Sequence, residues 1–443
     1  MWIKYSKELN MSKDTITFES KKLPFAAWLV VGLLCIVGCL NYLDRIMITT
    51  MRQSIIEAIP MTDGQFGLLT SVFLWVYGLL SPFAGYLADR FSRSKVIIIS
   101  LFIWSGVTWL TAHATSFEGL LATRALMGIS EACYIPAALA LISDYHKGST
   151  RSFAIGLHMA GVMIGQSIGF VGGWIAEDHK WNTAFTVFGG VGILYSLILV
   201  FLLRDSNPEP VLAEKKTHTE SLSFANAIKG LFSKRSFIVL LVFYGLLGVI
   251  GWMILGWLPT YYKEQFSLSQ TAAGIYATGY MYPLSMVGVI FGGYIADRWS
   301  KKNNKSRILV PIIGLCVAAP AVFLASSTQV LYLAIAGFMI YAFTRVFSDT
   351  NLMPILCMIA DKRYIATGYG VLNMFACIVG GLGLYASGLL RDEDVNMALL
   401  FKIAAISMII CAALLYLVKK DVDEFIKNEK RSNLAPVGIM DEL

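Results

Sequence analysis

Charge is scarce in this chain. Asp, Glu, Lys and Arg make up 15% of its 443 residues, against about a quarter in an ordinary soluble domain. The seven cysteines (Cys35, Cys39, Cys133, Cys316, Cys357, Cys377 and Cys411) all fall in apolar segments with no metal-ligand spacing. That excludes a zinc site or disulfide framework and leaves each as a small buried hydrophobe. There is no nucleophile elbow, no phosphate loop and no cluster of metal ligands, which argues against a membrane enzyme. No cofactor is therefore expected. A sizeable polar segment that could serve as the output domain of a sensor is also missing. The first apolar run, from Pro24 to beyond Leu40, is too long for a signal-peptide core, and no small-residue cleavage site ends it.

What fills the chain instead is hydrophobic sequence: 56% of residues, with a mean hydropathy of +0.65. It is gathered in runs of the length a bilayer-spanning helix needs, about 20 residues. Twelve spans are predicted, at 24–51, 64–90, 95–114, 117–145, 151–176, 181–203, 236–263, 270–298, 307–326, 329–358, 363–391 and 397–419. Segments this long and apolar must satisfy their backbone polar groups internally, so they are helices rather than barrel strands. Glycines such as Gly161, Gly165, Gly169, Gly172 and Gly173 on the fifth span suit close helix packing.

The net charge of +7 sits in short loops at helix ends and gives no reason to expect a nucleic-acid partner. Arg90, Arg93 and Lys95, then Lys147 and Arg151, then Arg298, Lys301, Lys302, Lys305 and Arg307, then Lys362 and Arg363 all fall on one side. The positive-inside rule makes that side cytoplasmic, with both termini. The opposite loops are short and acidic or mixed, as in Glu177-Asp178 and Asp392-Glu393-Asp394, which suits a bacterial inner membrane. The longest polar break, 204–235, contains Pro208, Pro210 and Lys215-Lys216 and divides the spans six to six. Within it, Ser221 to Leu231 can form a short amphipathic surface helix. The resulting plan is a tail at 1–23, a six-helix bundle at 24–203, a linker at 204–235, a second bundle at 236–419 and a tail at 420–443, all in one functional monomer. An internal repeat supports it. GYLADRFSRSK starts at Gly85 and GGYIADRWSKK at Gly292, at equivalent places in each half. Parallel six-helix halves with a substrate site between them are a known transporter plan.

The strongest functional signal is the charge placed inside apolar spans. Asp44 and Arg45 lie on the first, Arg124 and Glu131 on the fourth. A charged side chain at the bilayer centre costs at least about 2.5–3.5 kcal/mol, so it normally faces a partner or a wetted cavity. Arg124 and Glu131, seven apart, project to nearly one face, about 10 Å apart along the axis; Asp44 and Arg45, adjacent, point about 100° apart. One reading puts Arg45 in the cavity, holding a substrate carboxylate in a two-pronged contact, while Asp44 faces inward and pairs with Arg124. Glu131 is then the better proton carrier, and an anion arriving at Arg45 releases the carboxylates for protonation. The alternative is a static ion-pair network that fixes the helices, although buried pairs seldom add net stability over apolar packing. Arg345 and Asp349, at i and i+4 on the tenth span, share one face. They could anchor a doubly charged ligand or form a latch near the mouth, with Asp349 a second, weaker proton site. Tyr42 and Tyr134 flank the charges and could line the same space. His158 on the fifth span could relay protons or simply pack. Trp252 and Trp257 could stack on a ligand or sit in the interface.

Loop motif, span count and halves together resemble the major facilitator superfamily. The resemblance covers nearly the whole chain and implies an all-α membrane protein of twelve helices in two pseudo-symmetric six-helix bundles, working by rocker-switch alternating access. Asn41-Tyr42-Leu43-Asp44-Arg45 resembles the N-Y-x-D-R of the anion:cation symporters, a group that includes hexuronate, galactonate and sialin-type sugar-acid transporters. Arg124, Glu131 and the Gly256-to-Tyr261 stretch match that group as well. The Spinster-like lysolipid and sphingolipid transporters share the first-span motif and a G-E-A-S-Y region, which here reads Ser130-Glu131-Ala132-Cys133-Tyr134. The resemblance implies that Gln166 and Asn373 contact substrate hydroxyls. It also implies that Asp89 ties the two halves together in the outward-open state, within a gating set of Asp89, Arg90, Arg93, Asp297 and Arg298. For the basic members, topology signalling is the other reading. The expected activity is proton-coupled symport of a small organic anion such as a sugar acid, with lysolipid transport as the rival.

Overall fold

The computed structural model describes residues 25–146, 150–206, 224–303, 305–361 and 364–434. Among them there is no strand, and twelve helices are long and apolar enough to cross a membrane. They run Phe25–Thr50, Asp63–Ala84, Arg93–Thr111, Phe117–Tyr145, Arg151–Asp178, Trp181–Leu202, Arg235–Phe266, Gln270–Ser300, Ser306–Ser327, Leu331–Ile359, Thr367–Asp392 and Met397–Glu424. The spans read from hydropathy differ from these by a few residues at each end. An even number of crossings puts the start of the first span and the end of the twelfth on one face, the terminal face; the other is the distal face.

Local sequence sets the helix starts. Thr62 and Gln65 form a reciprocal capping box at the second span, and Ser92, Ser116 and Ser269 accept backbone N–H groups at the third, fourth and eighth. It also sets the interruptions. The fourth span stops at Glu131 and resumes at Tyr134; Pro136 lacks the N–H that would bond the carbonyl of Ala132. The tenth span is broken at Val346, between Leu331–Arg345 and Phe347–Ile359. The eighth carries a π-turn at Ile275–Gly279, and Pro283 leaves the carbonyl of Gly279 without its usual partner.

The packing repeats six spans later. In the first half, the first span packs on the fifth, the third on the sixth and the second on the fourth; in the second half, the seventh packs on the eleventh, the ninth on the twelfth and the eighth on the tenth. The halves meet through the second span against the eleventh and the fifth against the eighth, which are again equivalent pairs. Close approach explains two of the fifth-span glycines. A Cβ at Gly161 would lie 2.6 Å from the carbonyl oxygen of Cys35, and one at Gly172 would lie 2.6 Å from the Cβ of Met47.

Two expectations shift. The linker helix, Phe224–Phe232, does not simply lie on a surface: Leu231 and Ala227 are buried, and it docks on the seventh and eleventh spans. The last helix runs on to Leu434 instead of ending at 419. Its polar continuation is pinned by Asp423, which accepts from Lys305 at 2.6 Å and from Lys419 at 3.2 Å.

Candidate functional site

A cavity of about 370 Å³ lies between the halves, within the range of small-ligand sites. The first half contributes Tyr42, Arg45, Tyr77 and Gln166 to its wall; the second contributes Tyr244, Trp252, Arg345, Asp349 and Asn373. Tyr369, near the terminal end of the eleventh span, also lies on the wall and is 40% exposed.

Adjacent Asp44 and Arg45 diverge as helical geometry requires. Arg45 reaches the cavity, where its guanidinium lies 4.6, 4.9 and 4.5 Å from the ring centres of Tyr42, Phe73 and Tyr77. Behind, its Nε donates to Glu131 Oε2 at 2.5 Å, and one terminal nitrogen has no partner. Glu131 is fully buried at the break in the fourth span, with Oε1 unpaired beside the unpaired amide of Asn41. Asp44 turns into the first half. The expected pairing of Asp44 with Arg124 is not formed: Asp44 Oδ2 accepts from Thr108 Oγ1 at 3.1 Å. Arg124 donates to Met127 Sδ at 3.4 Å and lies 5.6 Å from the Phe185 ring centre. Among the described residues no carboxylate lies within ion-pair distance of it. The carboxylate partner goes to Arg45 because the helix ends at Glu131, directly behind that guanidinium, while Arg124 sits two turns back along the fourth span.

Tyr134 is corrected too. It does not line the cavity. The helix that restarts after the break turns it onto the first span, where its hydroxyl donates to the Leu34 carbonyl at 2.9 Å. His158 packs edge-on against Tyr134, buried, with both ring nitrogens unpartnered. Trp257 is likewise off the wall, donating to Ser387 Oγ at 2.8 Å. On the opposite wall Arg345 pairs with Asp349 across the break in the tenth span. Both residues line the cavity wall.

Arg93, Arg298 and Arg307 of the signature loops each bond within their own half. Arg93 pairs with Asp144; Arg298 donates to the Tyr294 hydroxyl at 3.1 Å, and Arg307 to Asp297 at 3.2 Å. Arg90 is exposed at the end of its helix, and the side chain of Asp89 lies outside the described residues. Asp205, just past the sixth span, accepts from Ser92 Oγ at 2.5 Å and from the Ser94 N–H at 2.8 Å. Burial pushes its carboxyl up, but these bonds and Arg93 outweigh that and hold it below the usual carboxylate range.

Sequence reasoning missed the distal closure. Arg391 donates to Asp63 and to Glu264, each at 2.9 Å, and Arg52 pairs with Asp63 and with Glu264. Asp392 reaches across the halves to accept the N–H groups of Asp63 at 2.7 Å and Gly64 at 2.9 Å. It thereby supplies negative charge to the N-terminus of the second span. The signal was present as charge at the distal ends of the first, second, seventh and eleventh spans, but sequence gives no register between halves.

A model of the Major Facilitator Superfamily matches residues 34–384. The chain belongs to that family, and its twelve apolar helices make it an integral membrane protein. It is 26% identical over 372 residues to Protein spinster homolog 1 of Xenopus tropicalis, covering 80% of this chain and 66% of that protein. It is 28% identical over 382 residues to the Probable sulfoacetate transporter SauU of Cupriavidus necator, covering 81% and 88%. The chain spans between about half and two thirds of the length of several spinster relatives it matches, 49% of the Drosophila melanogaster protein among them. Among solved structures it resembles a bacterial homolog to the human lysosomal transporter Spinster, in an inward-facing and unoccupied conformation. The TM-score is 0.74 at 22% identity, covering 91% of this chain and 98% of that one. The nucleoside transporter NupG gives 0.71 at 14% identity, covering 88% and 99%.

Proposed function

We propose that this protein is a secondary active transporter that carries a small organic anion, such as a sugar acid, together with protons by rocker-switch alternating access. The observation that carries the reading is the position of Arg45. One side of its guanidinium lies on the cavity wall, and the other is bonded to Glu131. A substrate anion and the Glu131 carboxylate therefore compete for one cation. When the anion takes the guanidinium, the carboxylate loses its partner and takes a proton; when the anion leaves, the pair reforms and the proton departs. Gln166 and Asn373 on the same wall supply donors and acceptors for hydroxyls. A relative named for an organic anion transporter is consistent with this chemistry.

The basic loops favour a cytoplasmic terminal face, and the short distal loops suit a bacterial inner membrane; in that orientation the closed distal network corresponds to an inward-facing state. One chain supplies both walls of the cavity, which is what a functional monomer requires.

The test is a thermal-shift screen of the purified protein with gluconate, glucuronate and sulfoacetate at two pH values, since a ligand bound by the folded state raises apparent stability. The reading requires stabilisation by at least one of these anions and its loss in Arg45→Ala. A second reading, lysolipid transport, is favoured by the spinster relatives and by the apolar part of the wall around Met159, Val162, Met163 and Leu255. Stabilisation by a lysophospholipid, with no response to acidic sugars or sulfoacetate, would select it.

A further inference from the structure

We infer that Arg345 and Asp349 form a second anion subsite, so that the preferred substrate is an organic dianion whose two acidic groups bridge Arg45 and Arg345 across the halves, with one proton taken up at each displaced carboxylate. This rests on the anion reading above and narrows it.

Three observations lead there. First, the two guanidiniums belong to opposite halves yet line one cavity of about 370 Å³. Second, each has the same bonding economy. Arg45 is tied to Glu131 and Arg345 to Asp349, and each guanidinium keeps a nitrogen without a partner: a terminal nitrogen on Arg45 and Nε on Arg345. Third, the two pairs occupy related places in the repeated architecture. Phe117–Glu131 and Leu331–Arg345 are the opening segments of the equivalent fourth and tenth spans; each is 15 residues long and each ends at a helix break on its charged residue. One half thus offers a carboxylate at the position where the other offers a guanidinium, and an arginine–carboxylate pair stands on each side.

The charge balance follows. In the empty cavity Arg45 with Glu131 and Arg345 with Asp349 sum to zero. A dianion that binds both guanidiniums displaces both carboxylates, and each takes one proton, so the loaded cavity again sums to zero. A monoanion engages one pair and brings one proton. Glu131 is faced by Arg45, Arg124, Asp44 and Asn41. Asp349 is faced by Arg345 and by the tyrosines Tyr244, Tyr341 and Tyr369, with no second cation among the described residues. The tyrosine hydroxyls around Arg345 can also donate to the second acidic group.

The test uses three matched pairs of ligands on the purified full chain: sulfoacetate with isethionate, glucarate with gluconate, and succinate with 4-hydroxybutyrate. In each pair one acidic group is replaced by a neutral one. In at least one pair the dianion is expected to bind about tenfold to a hundredfold tighter, the worth of a charge-assisted contact. Arg345→Gln should collapse that ratio toward one. Asp349→Asn, which frees Arg345, should keep or raise the ratio while cutting proton uptake per dianion from two to one in proteoliposomes. This second variant keeps the test decisive if Arg345→Gln fails to fold. A ratio near one in all three pairs, with monoanions still bound, overturns this inference and leaves the anion transporter standing. A ratio that survives Arg345→Gln, or a proton count unchanged in Asp349→Asn, overturns it as well. Failure of every anion to bind overturns both.

Discussion

At the scale of single residues, four buried ionisable groups in the first half divide into two kinds. Arg45 lies on the cavity wall and is bonded to Glu131 behind it. Asp44 and Arg124 are 2% exposed, and their side-chain hydrogen bonds go to the neutral Thr108 and Met127. Only the first pair can sense a ligand directly. Arg45→Ala is expected to abolish anion-induced stabilisation. Breaking a buried pair costs about 3–5 kcal/mol, so the fold control is Arg45→Ala with Glu131→Gln, which leaves no orphaned carboxylate. Anion binding by that double variant would refute the anchoring role. Glu131→Gln alone should lose proton-driven accumulation of a monoanion in proteoliposomes while keeping its exchange; monoanion accumulation that survives would move the proton to Asp44. The sequence made the divergence of Asp44 and Arg45 legible, because adjacent residues on a helix cannot share a face. It did not make partners legible. Spacing along one helix says which face a side chain takes, and the reach to a residue 86 positions away depends on the break after Glu131.

At the scale of elements, helix ends do much of the work. Asp392 caps the second span from the opposite half. A charge at a helix terminus contributes about 0.3–1 kcal/mol, more when partly buried. Asp392→Asn should therefore raise the distally open population a few-fold. Spin labels at Glu57 and Ser267, exposed on the distal face of opposite halves, would report it as added long distances; an unchanged distribution would contradict the latch. On the terminal side, Asp205 ties the end of the sixth span to the start of the third. Its carboxyl is held below the usual range, so its contribution is present above the unfolded carboxylate value of about 3.9 and is lost as pH falls through the lower folded value. Asp205→Asn should lower the melting temperature near neutral pH, with the gap to wild type closing below about pH 4. A gap that persists there would assign the effect to packing. Such connections were hidden in the sequence because each joins loop residues from separate spans, where no periodic pattern operates.

At the scale of the whole molecule, the repeated loop motif and twelve apolar runs were enough to anticipate two equivalent bundles, and the packing of each span recurs six positions later. What could not be anticipated is how the halves meet. The second and eleventh spans cross closely enough for the Ser71 hydroxyl to donate to the Gly381 carbonyl at 2.7 Å and the Trp75 indole to the Ile378 carbonyl at 3.0 Å. That contact, with the distal ion pairs, defines the conformation and leaves the charged cavity between the halves. The central claim is that anion and proton share Arg45 as a switch. The most direct measurement is proton uptake in proteoliposomes holding a pH-sensitive dye, when a binding anion is added without any imposed gradient. Wild type should acidify the lumen in step with entry of a monoanion, and Glu131→Gln should admit the monoanion without acidification, or a dianion with about half the wild-type acidification. Anion entry with no proton movement in wild type, or equal acidification in the variant, would contradict the account.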